Sequence, residues 1–361
     1  MTASRTISAM GSALARGRRG GAGLVVVSDM DGTITYNPEG RYAFIDDAMK
    51  TRIHPDVVAV FDRVHAYPNS RVVVSTGGAA LRTKHIFEQS GLAVDAYCGY
   101  GQERVLVGPN GELNALPHLW SADLAPLWVE IADRLADELD VSYSTDGSAH
   151  DLGFVLEDKG TLVSFHVRNA SQEKLGSLLT GEFVGGVVRQ WAARHQSVLP
   201  KDLYEALAGG IHANPNHNAV VELNVPTKVD KGTVLRDVVS DYENSRGSSG
   251  GRGDRPMVVV CVDDEGDKPM IGAARDLRDL GFDAVSIAVK NPPHPTESKW
   301  RGTSPAILEM ADLVVEARES SDGLLVPAQG VLADMFSQSL DLAAKTEQGT
   351  VARANPGLDT L

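Results

Sequence analysis

The chain has 361 residues, 42% of them hydrophobic, which is enough for two domains of ordinary size, and a formal net charge of −14. That acidity argues against a nucleic-acid partner, which would need a basic surface, and no apolar stretch approaches the ~20 residues of a membrane-spanning helix. Only Cys98 and Cys261 occur, each in or beside an apolar run, so they read as packed thiols in a reducing cytoplasm and not as a disulfide or metal pair.

Residues 1–22 contain Arg5, Arg16, Arg18 and Arg19 but lack the continuous apolar core of a secretory signal, and they read as a disordered, dispensable arm. The apolar run from Leu24 to Val27 predicts a buried strand, followed one residue later by Asp29-Met30-Asp31-Gly32-Thr33. Both acids then stand at a C-terminal strand edge, where open α/β sheets hold ligands, and a carboxylate there can act as a nucleophile that carries a phosphoryl group. A calcium loop does not fit, because Ile34 takes the sixth place, where an EF-hand needs glycine. An acidic surface turn stays open on this motif alone.

A helix from Pro55 shows Val57, Val60, Phe61 and Val64 at helical spacing. The strand of Val72, Val73 and Val74 runs into Ser75-Thr76-Gly77, where the Thr76 hydroxyl and backbone N–H groups suit a phosphate. A helix from about Ala79 closes at Gly91, and a short strand follows from Val94 to Cys98. This β-α-β-α-β order implies a parallel sheet with right-handed crossovers.

Between about residues 105 and 215 the pattern changes. Ser121 precedes a helix with Leu124, Leu127, Trp128, Ile131, Leu135 and Leu139, while residues 154–156 and 162–167 read as strands of an antiparallel sheet. The segment is expected to be an inserted α+β cap that closes over a substrate and excludes water. Along its strands Glu157 and Lys159 share one side, as do His166 and Arg168. They either line a polyol-phosphate site or decorate an exposed sheet face.

The core pattern resumes with a strand to Val225, a helix opened by Val229-Asp230-Lys231-Gly232, and the strand Met257 to Val262 followed by Asp263-Asp264-Glu265-Gly266-Asp267. A helix from Lys268 to Gly281 and strands at 284–289 and 313–315 complete it. Lys231 offers an ammonium to a phosphoryl oxygen. The second acid cluster suits Mg²⁺, which takes one or two carboxylates together with water and phosphate. Residues 244–254 read as a flexible loop and 319–361 as a helical tail with a frayed end. The expected fold is α/β: a doubly wound parallel, Rossmann-like sheet from residues 23–104 and 216–318, with the cap at 105–215.

Taken in order, the Asp-x-Asp-Gly-Thr stretch, Thr76, Lys231 and the second acid cluster resemble the haloacid dehalogenase superfamily of phosphatases. Glu157-x-Lys159, His166-x-Arg168, Val229-Asp230-Lys231-Gly232 and Asp263-Asp264-x-x-Asp267 are similar to the trehalose-6-phosphate phosphatases, over about residues 22–318. The resemblance implies a Mg²⁺-dependent hydrolase of a small sugar phosphate. It makes Asp29 the nucleophile, Asp31 the acid and base, and Thr76, Gly77 and Lys231 the phosphate ligands. The metal would be held by Asp29, the Asp31 main-chain carbonyl and Asp263; Asp264 and Asp267 join it or orient its waters and Lys231. Glu157, Lys159, His166 and Arg168 would meet the sugar.

The chain also departs from that pattern. Gly78 stands where an arginine is usual and Tyr100 where a histidine is usual, the acid motif contains Glu265-Gly266, and no arginine follows Glu222-Leu223-Asn224. Such changes are what a shifted substrate would look like, such as a pseudo-disaccharide phosphate like validoxylamine A 7′-phosphate of antibiotic biosynthesis, and equally what neutral drift around a trehalose 6-phosphate or related site would look like. They also suit a sugar-phosphate-binding module without turnover, although the presence of Asp29, Asp31, Lys231 and Asp263 together favours an enzyme.

Overall fold

A computed structural model describes residues 7–8, 10–15, 22–36, 52–77, 80–99, 103–107, 113–117, 120–145, 153–167, 172–216, 220–225, 230–245, 255–292 and 302–354. A short helix at residues 10–15 (α1) precedes β1 (Leu24–Ser28), the small strands β2 (Thr35–Tyr36) and β3 (Arg52–Ile53), α2 (Pro55–His65), β4 (Arg71–Thr76), α3 (Ala80–Ser90), β5 (Ala96–Gly99), β6 (Glu103–Val107) and β7 (Leu113–Pro117). Next come α4 (Ser121–Leu139), β8 (Tyr143–Ser144), β9 (Phe154–Asp158), β10 (Leu162–Val167), α5 (Gln172–Thr180), α6 (Glu182–His195), α7 (Lys201–Ala208), β11 (His212–Asn216) and β12 (Val220–Asn224). The chain then forms α8 (Lys231–Ser245), β13 (Met257–Val262), α9 (Lys268–Asp279), β14 (Asp283–Lys290), α10 (Pro305–Met310), β15 (Leu313–Glu316), β16 (Arg318–Glu319), β17 (Leu325–Val326) and α11 (Ala328–Ala354).

The main sheet has the order β15-β14-β13-β1-β4-β5-β6-β7. Every pairing from β15 to β5 is parallel, and β6 and β7 extend the edge in antiparallel fashion. β1 and β13 are buried along their whole length, as continuous β-branched runs covered on both faces should be. Alternate residues divide between two cores: Leu24, Val26, Val72 and Val74 pack with α2, α3 and α11, while Val25, Val27 and Val73 pack with α8 and α9. The order of strands reverses at β1, the switch point at which open α/β sheets bind ligands. Ser28 is level with Val74 and Cys261, so Asp29, Thr76 and Asp263 all emerge at one edge.

A second sheet has the order β11-β12-β10-β9-β8, with β8 parallel to β9 and the other pairings antiparallel. Phe154, Leu156, Val163, Phe165, Val221 and Leu223 turn to one face and form a separate core under α4, α5, α6 and α7. Glu157, Ser164, His166, Glu222 and Asn224 occupy the opposite face. The α/β core with an α+β cap is therefore observed.

Three expectations are corrected. The strand at 220–225 lies in the second sheet, paired with β10 and β11, and not in the core. Its alternation of Val221, Leu223 and Val225 with Glu222 and Asn224 marks a sheet covered on one face only, unlike the unbroken apolar runs of β1 and β13. Conversely, β6 and β7, which fall largely inside the expected cap, belong to the main sheet. Part of the N-terminal segment is also ordered: Met10, Ala13, Leu14 and Ala15 are buried in the main core, and the Tyr67 hydroxyl donates to the Leu14 carbonyl at 2.5 Å. Gly11 lies so close to α11 that a Cβ there would sit 2.8 Å from Leu342 Cδ2. A short stripe of small residues carried too little hydrophobic contrast to announce this helix.

The helical tail is present as α11, with Leu332, Phe336, Leu340 and Ala343 in the main core. Residues 1–6, 16–21, 246–254 and 355–361 lie outside the described residues. Cys98 and Cys261 are buried with reduced thiols, and burial pushes the Cys261 pKa up to about 12. No helix among the described residues is long and apolar enough to cross a membrane.

The docked N-terminal helix is testable. Leu14 is 1% exposed, so Leu14→Ala should cost about 2–5 kcal/mol of unfolding free energy. The reading is a lower urea midpoint at unchanged slope; a midpoint equal to that of the parent would mean that α1 contributes no packing.

Candidate active site

The backbone first shapes the turn after β1. Asp29 N donates to the Cys261 carbonyl at 2.9 Å, which extends the parallel pairing by one residue. The N–H groups of Thr33, Ile34 and Thr35 then fold back on the Met30 carbonyl at 3.3, 3.1 and 3.1 Å. Gly32 has φ +82°, and a Cβ there would lie 2.2 Å from Asp263 Oδ2. Glycine is required both by the left-handed conformation and by the close approach. Asp31 is half-buried on this turn.

Asp29 continues the face of Val25 and Val27, so its carboxylate meets α8 and α9. Lys231, the first residue of α8, donates from Nζ to Asp29 Oδ1 and to Asp267 Oδ1, each at 2.6 Å. The reach depends on Gly232, where a Cβ would stand 2.4 Å from the Pro269 carbonyl oxygen and push the starts of α8 and α9 apart. Asp267 Oδ2 accepts from the backbone N–H groups of Asp263 and Asp264 at 3.0 and 3.3 Å. The Thr33 hydroxyl lies 3.0 Å from Asp263 Oδ1 and 3.3 Å from Asp29 Oδ2, and Asn291 Nδ2 donates to Asp263 Oδ2 at 3.1 Å.

One carboxylate oxygen from each of Asp29, Asp263 and Asp267 lies within 4.8 Å of the others, and all three residues are buried. Burial pushes the Asp29 carboxyl well above the usual carboxylate range, with the Lys231 ammonium pulling the other way. Asp263 is also pushed well up, by burial and then by the charge of Asp29, and Asp267 rises from burial against the pull of Lys231. Burial disfavours the charge on Lys231, but Asp267 and Asp29 overcome this and hold its pKa well above the ordinary value. One ammonium thus faces three buried acids. Hard oxygen donors in that excess, beside a glycine that leaves room next to Asp263, fit a divalent cation.

Asp264, expected beside the metal, is exposed, and its Oδ1 accepts from Gly266 N at 2.8 Å. It caps the short turn Glu265–Asp267, and that turn carries Asp267 inward in its place. Thr76 is buried and Gly77 half-buried where β4 ends, at the edge that carries Asp29.

On the second sheet, Glu157 Oε2 stands 2.8 Å from His166 Nε2 and 3.5 Å from Lys159 Nζ. Lys159 also lies 3.5 Å from Glu222 Oε1, which accepts from the Ser164 hydroxyl at 3.2 Å. His166 Nδ1 and Asn224 Oδ1 are buried without a hydrogen-bond partner. Arg168, Gly78 and Tyr100 fall outside the described residues. Sequence reasoning passed over Glu222 although it alternates with buried Val221 and Leu223, and Asn291 although it follows a buried strand at the same edge as Asp263. Gln329, whose Nε2 donates to the Gly32 carbonyl, gave no sequence signal.

No protein-family model matches the chain, and no curated protein sequence does. Among solved structures, the C-terminal domain of the C. albicans trehalose-6-phosphate phosphatase is similar at 13% identity and a TM-score of 0.50, covering 92% of this chain and 96% of that one. Trehalose-6-phosphate phosphatase from Aspergillus fumigatus is similar at 15% identity and a TM-score of 0.45, covering 93% and 97%. A haloacid dehalogenase-like hydrolase from B. subtilis is similar at 14% identity and a TM-score of 0.42, covering 87% and 98%. At such identities the likeness is one of fold, and the C. albicans domain carries it. The chain therefore shares the fold of the C-terminal domain of the C. albicans trehalose-6-phosphate phosphatase.

Proposed function

We propose that the chain is a Mg²⁺-dependent phosphatase that hydrolyses a disaccharide-like sugar phosphate through an aspartyl-phosphate on Asp29. The observation that carries this reading is the buried Asp29–Lys231–Asp267 chain beside Asp263, at the switch point of the sheet. An oxygen of Asp29 attacks phosphorus as the bond from phosphorus to the sugar oxygen breaks, and Asp31 gives that oxygen its proton. Asp31 then takes a proton from the water that attacks the acyl phosphate. Inorganic phosphate leaves and Asp29 is restored.

Thr76, the Gly77 N–H and Lys231 hold the transferring oxygens, and charge neutralisation and positioning supply most of the rate. Mg²⁺ would be held by Asp29, the Asp31 carbonyl and Asp263, and would neutralise charge on the incoming phosphate. Asp267 holds Lys231 and the Asp263 backbone in place, a supporting role that its buried hydrogen bonds favour.

The polar face of the second sheet supports a polyol substrate. Paired carboxylates accept from sugar hydroxyls, Lys159 donates to them, and the unpartnered His166 Nδ1 and Asn224 Oδ1 leave hydrogen-bonding capacity for a ligand. Trehalose 6-phosphate fits this class, as does a pseudo-disaccharide phosphate such as validoxylamine A 7′-phosphate of antibiotic biosynthesis. Arg168 is proposed to join these contacts on closure of the cap. Reduced buried thiols are compatible with action in the cytoplasm.

Asp29→Asn should fold normally and lose at least about a hundredfold in kcat, roughly 2.7 kcal/mol, in a phosphate-release assay with deamidation excluded by mass spectrometry. Retained turnover would remove Asp29 from the nucleophile's role. Mg²⁺ should raise the melting temperature of chelator-treated protein and restore its activity, since a ligand that binds only the folded state stabilises it. Asp263→Asn should abolish both effects; an equal thermal shift in that variant would place the ion elsewhere. Lys159→Ala should lower kcat/KM for a disaccharide phosphate by at least about tenfold, or 1.4 kcal/mol, while leaving p-nitrophenyl phosphate hydrolysis nearly unchanged. Equal losses on both substrates would refute the assignment of the second sheet to the sugar.

A further inference from the structure

Gln329 lies in the first turn of α11 and is 3% exposed. Its Nε2 donates to the Gly32 carbonyl at 2.8 Å and lies 3.2 Å from the Thr35 carbonyl and 3.3 Å from Asn291 Oδ1. Asn291, just past β14, donates from Nδ2 to the same Gly32 carbonyl at 2.9 Å and to Asp263 Oδ2 at 3.1 Å. Two side-chain amides from distant parts of the chain therefore converge on the carbonyl of one glycine and fill both of its lone pairs. That glycine lies in the turn that carries Asp29 and Asp31, and the same network reaches the buried carboxylate of Asp263.

The network is anchored on both sides. Asn291 N donates to Thr303 Oγ1 at 2.8 Å, and that hydroxyl donates to the Val289 carbonyl at 2.8 Å. α11 is seated in the main core by Leu332 and Phe336. Next to Gln329, Gly330 lets the helix approach α2 so closely that a Cβ would lie 3.3 Å from the His54 ring.

We propose that Gln329 is a positioning residue: α11 holds the Asp29–Thr33 turn in register with Asp263 through the Gly32 carbonyl. Its kinetic consequence rests on the phosphatase reading above, whereas its mechanical consequence does not. A reacting group displaced by about 1 Å loses a large part of its rate, and nothing else in the first turn of α11 contacts the Gly32 carbonyl among the hydrogen bonds of the described residues. A residue that only filled a buried polar gap would affect global stability and leave the turn no looser than the rest.

The test is Gln329→Met, which matches the side chain in length and removes both donors. Hydrogen exchange of the peptide covering residues 28–36 should be at least about tenfold faster, with exchange in the second sheet and α9 unchanged. With p-nitrophenyl phosphate and Mg²⁺, kcat should fall at least about tenfold while KM stays within about threefold. Unchanged exchange in that peptide overturns the proposal whatever the kinetics, and so does faster exchange across the whole protein. If the parent protein releases phosphate and the variant keeps kcat within about twofold, the proposal also fails. If the parent releases no phosphate from any monoester, the phosphatase reading fails and the exchange measurement alone decides the role of Gln329. Should Gln329→Met not fold, Gln329→Glu is read in the same way; failure of both to fold makes Gln329 a folding determinant and ends the proposal.

Discussion

The buried ammonium of Lys231 is the interaction on which the rest of the site depends. It joins a carboxylate at the end of β1 to one at the start of α9, and both bonds are 2.6 Å long. A charge withdrawn from water is tolerated only when paired and hydrogen-bonded, so Lys231, Asp29 and Asp267 must be built together or not at all. That requirement reaches into the backbone. Gly232 lets α8 approach α9, and Gly32 lets the turn after β1 pass over Asp263. The excess of buried carboxylate over ammonium leaves a local negative charge that favours a small hard cation.

The sheet supplies the geometry that this pairing needs. Parallel strands deliver their C-terminal ends to one edge, and the reversal of strand order at β1 opens a crevice there. Five residues of β1 are all buried, and the pairing of Ser28 with Val74 and with Cys261 sets Asp29 beside the ends of β4 and β13. The second sheet follows a different rule. One face is sealed by α4, α5, α6 and α7, so its other face is free to carry Glu157, Lys159, His166 and Glu222 as a connected set of donors and acceptors. A sheet buried on both faces and a second sheet with one polar face follow from two kinds of strand, one apolar throughout and one alternating.

The ends of the chain close the main core. α1 packs against α11 at Gly11, and α11 in turn meets α2 and the turn after β1. The turn around the left-handed Gly32 is closed from within by the N–H groups of Thr33, Ile34 and Thr35, which share the Met30 carbonyl. Two side-chain amides, of Asn291 and Gln329, tie its Gly32 carbonyl to the end of β14 and to α11, beyond the last β1 ladder bond at Asp29.

The positions of the candidate site residues were legible in the sequence because each follows a continuous apolar strand or opens a helix: Asp29 and Asp31 after Leu24–Val27, Thr76 after Val72–Val74, Asp263 after Met257–Val262, and Lys231 at a helix start. Runs of β-branched residues can be buried only in a sheet covered on both faces, so their position and their edge are local properties. The alternation of Val221, Leu223 and Val225 was local too, and it already contained the correct sheet for β12. Other features required the tertiary structure. Asp264 and Asp267 differ only in how a short turn rotates them, and the turn chose Asp267 because its carboxylate could reach Lys231 and two backbone N–H groups at once. Gln329 and Gly32 are 297 residues apart in the chain. Docking of α1 depends on a few small apolar side chains meeting Leu342 and Tyr67. Such contacts arise from the packing of whole elements, whose free energy no local pattern of residues encodes.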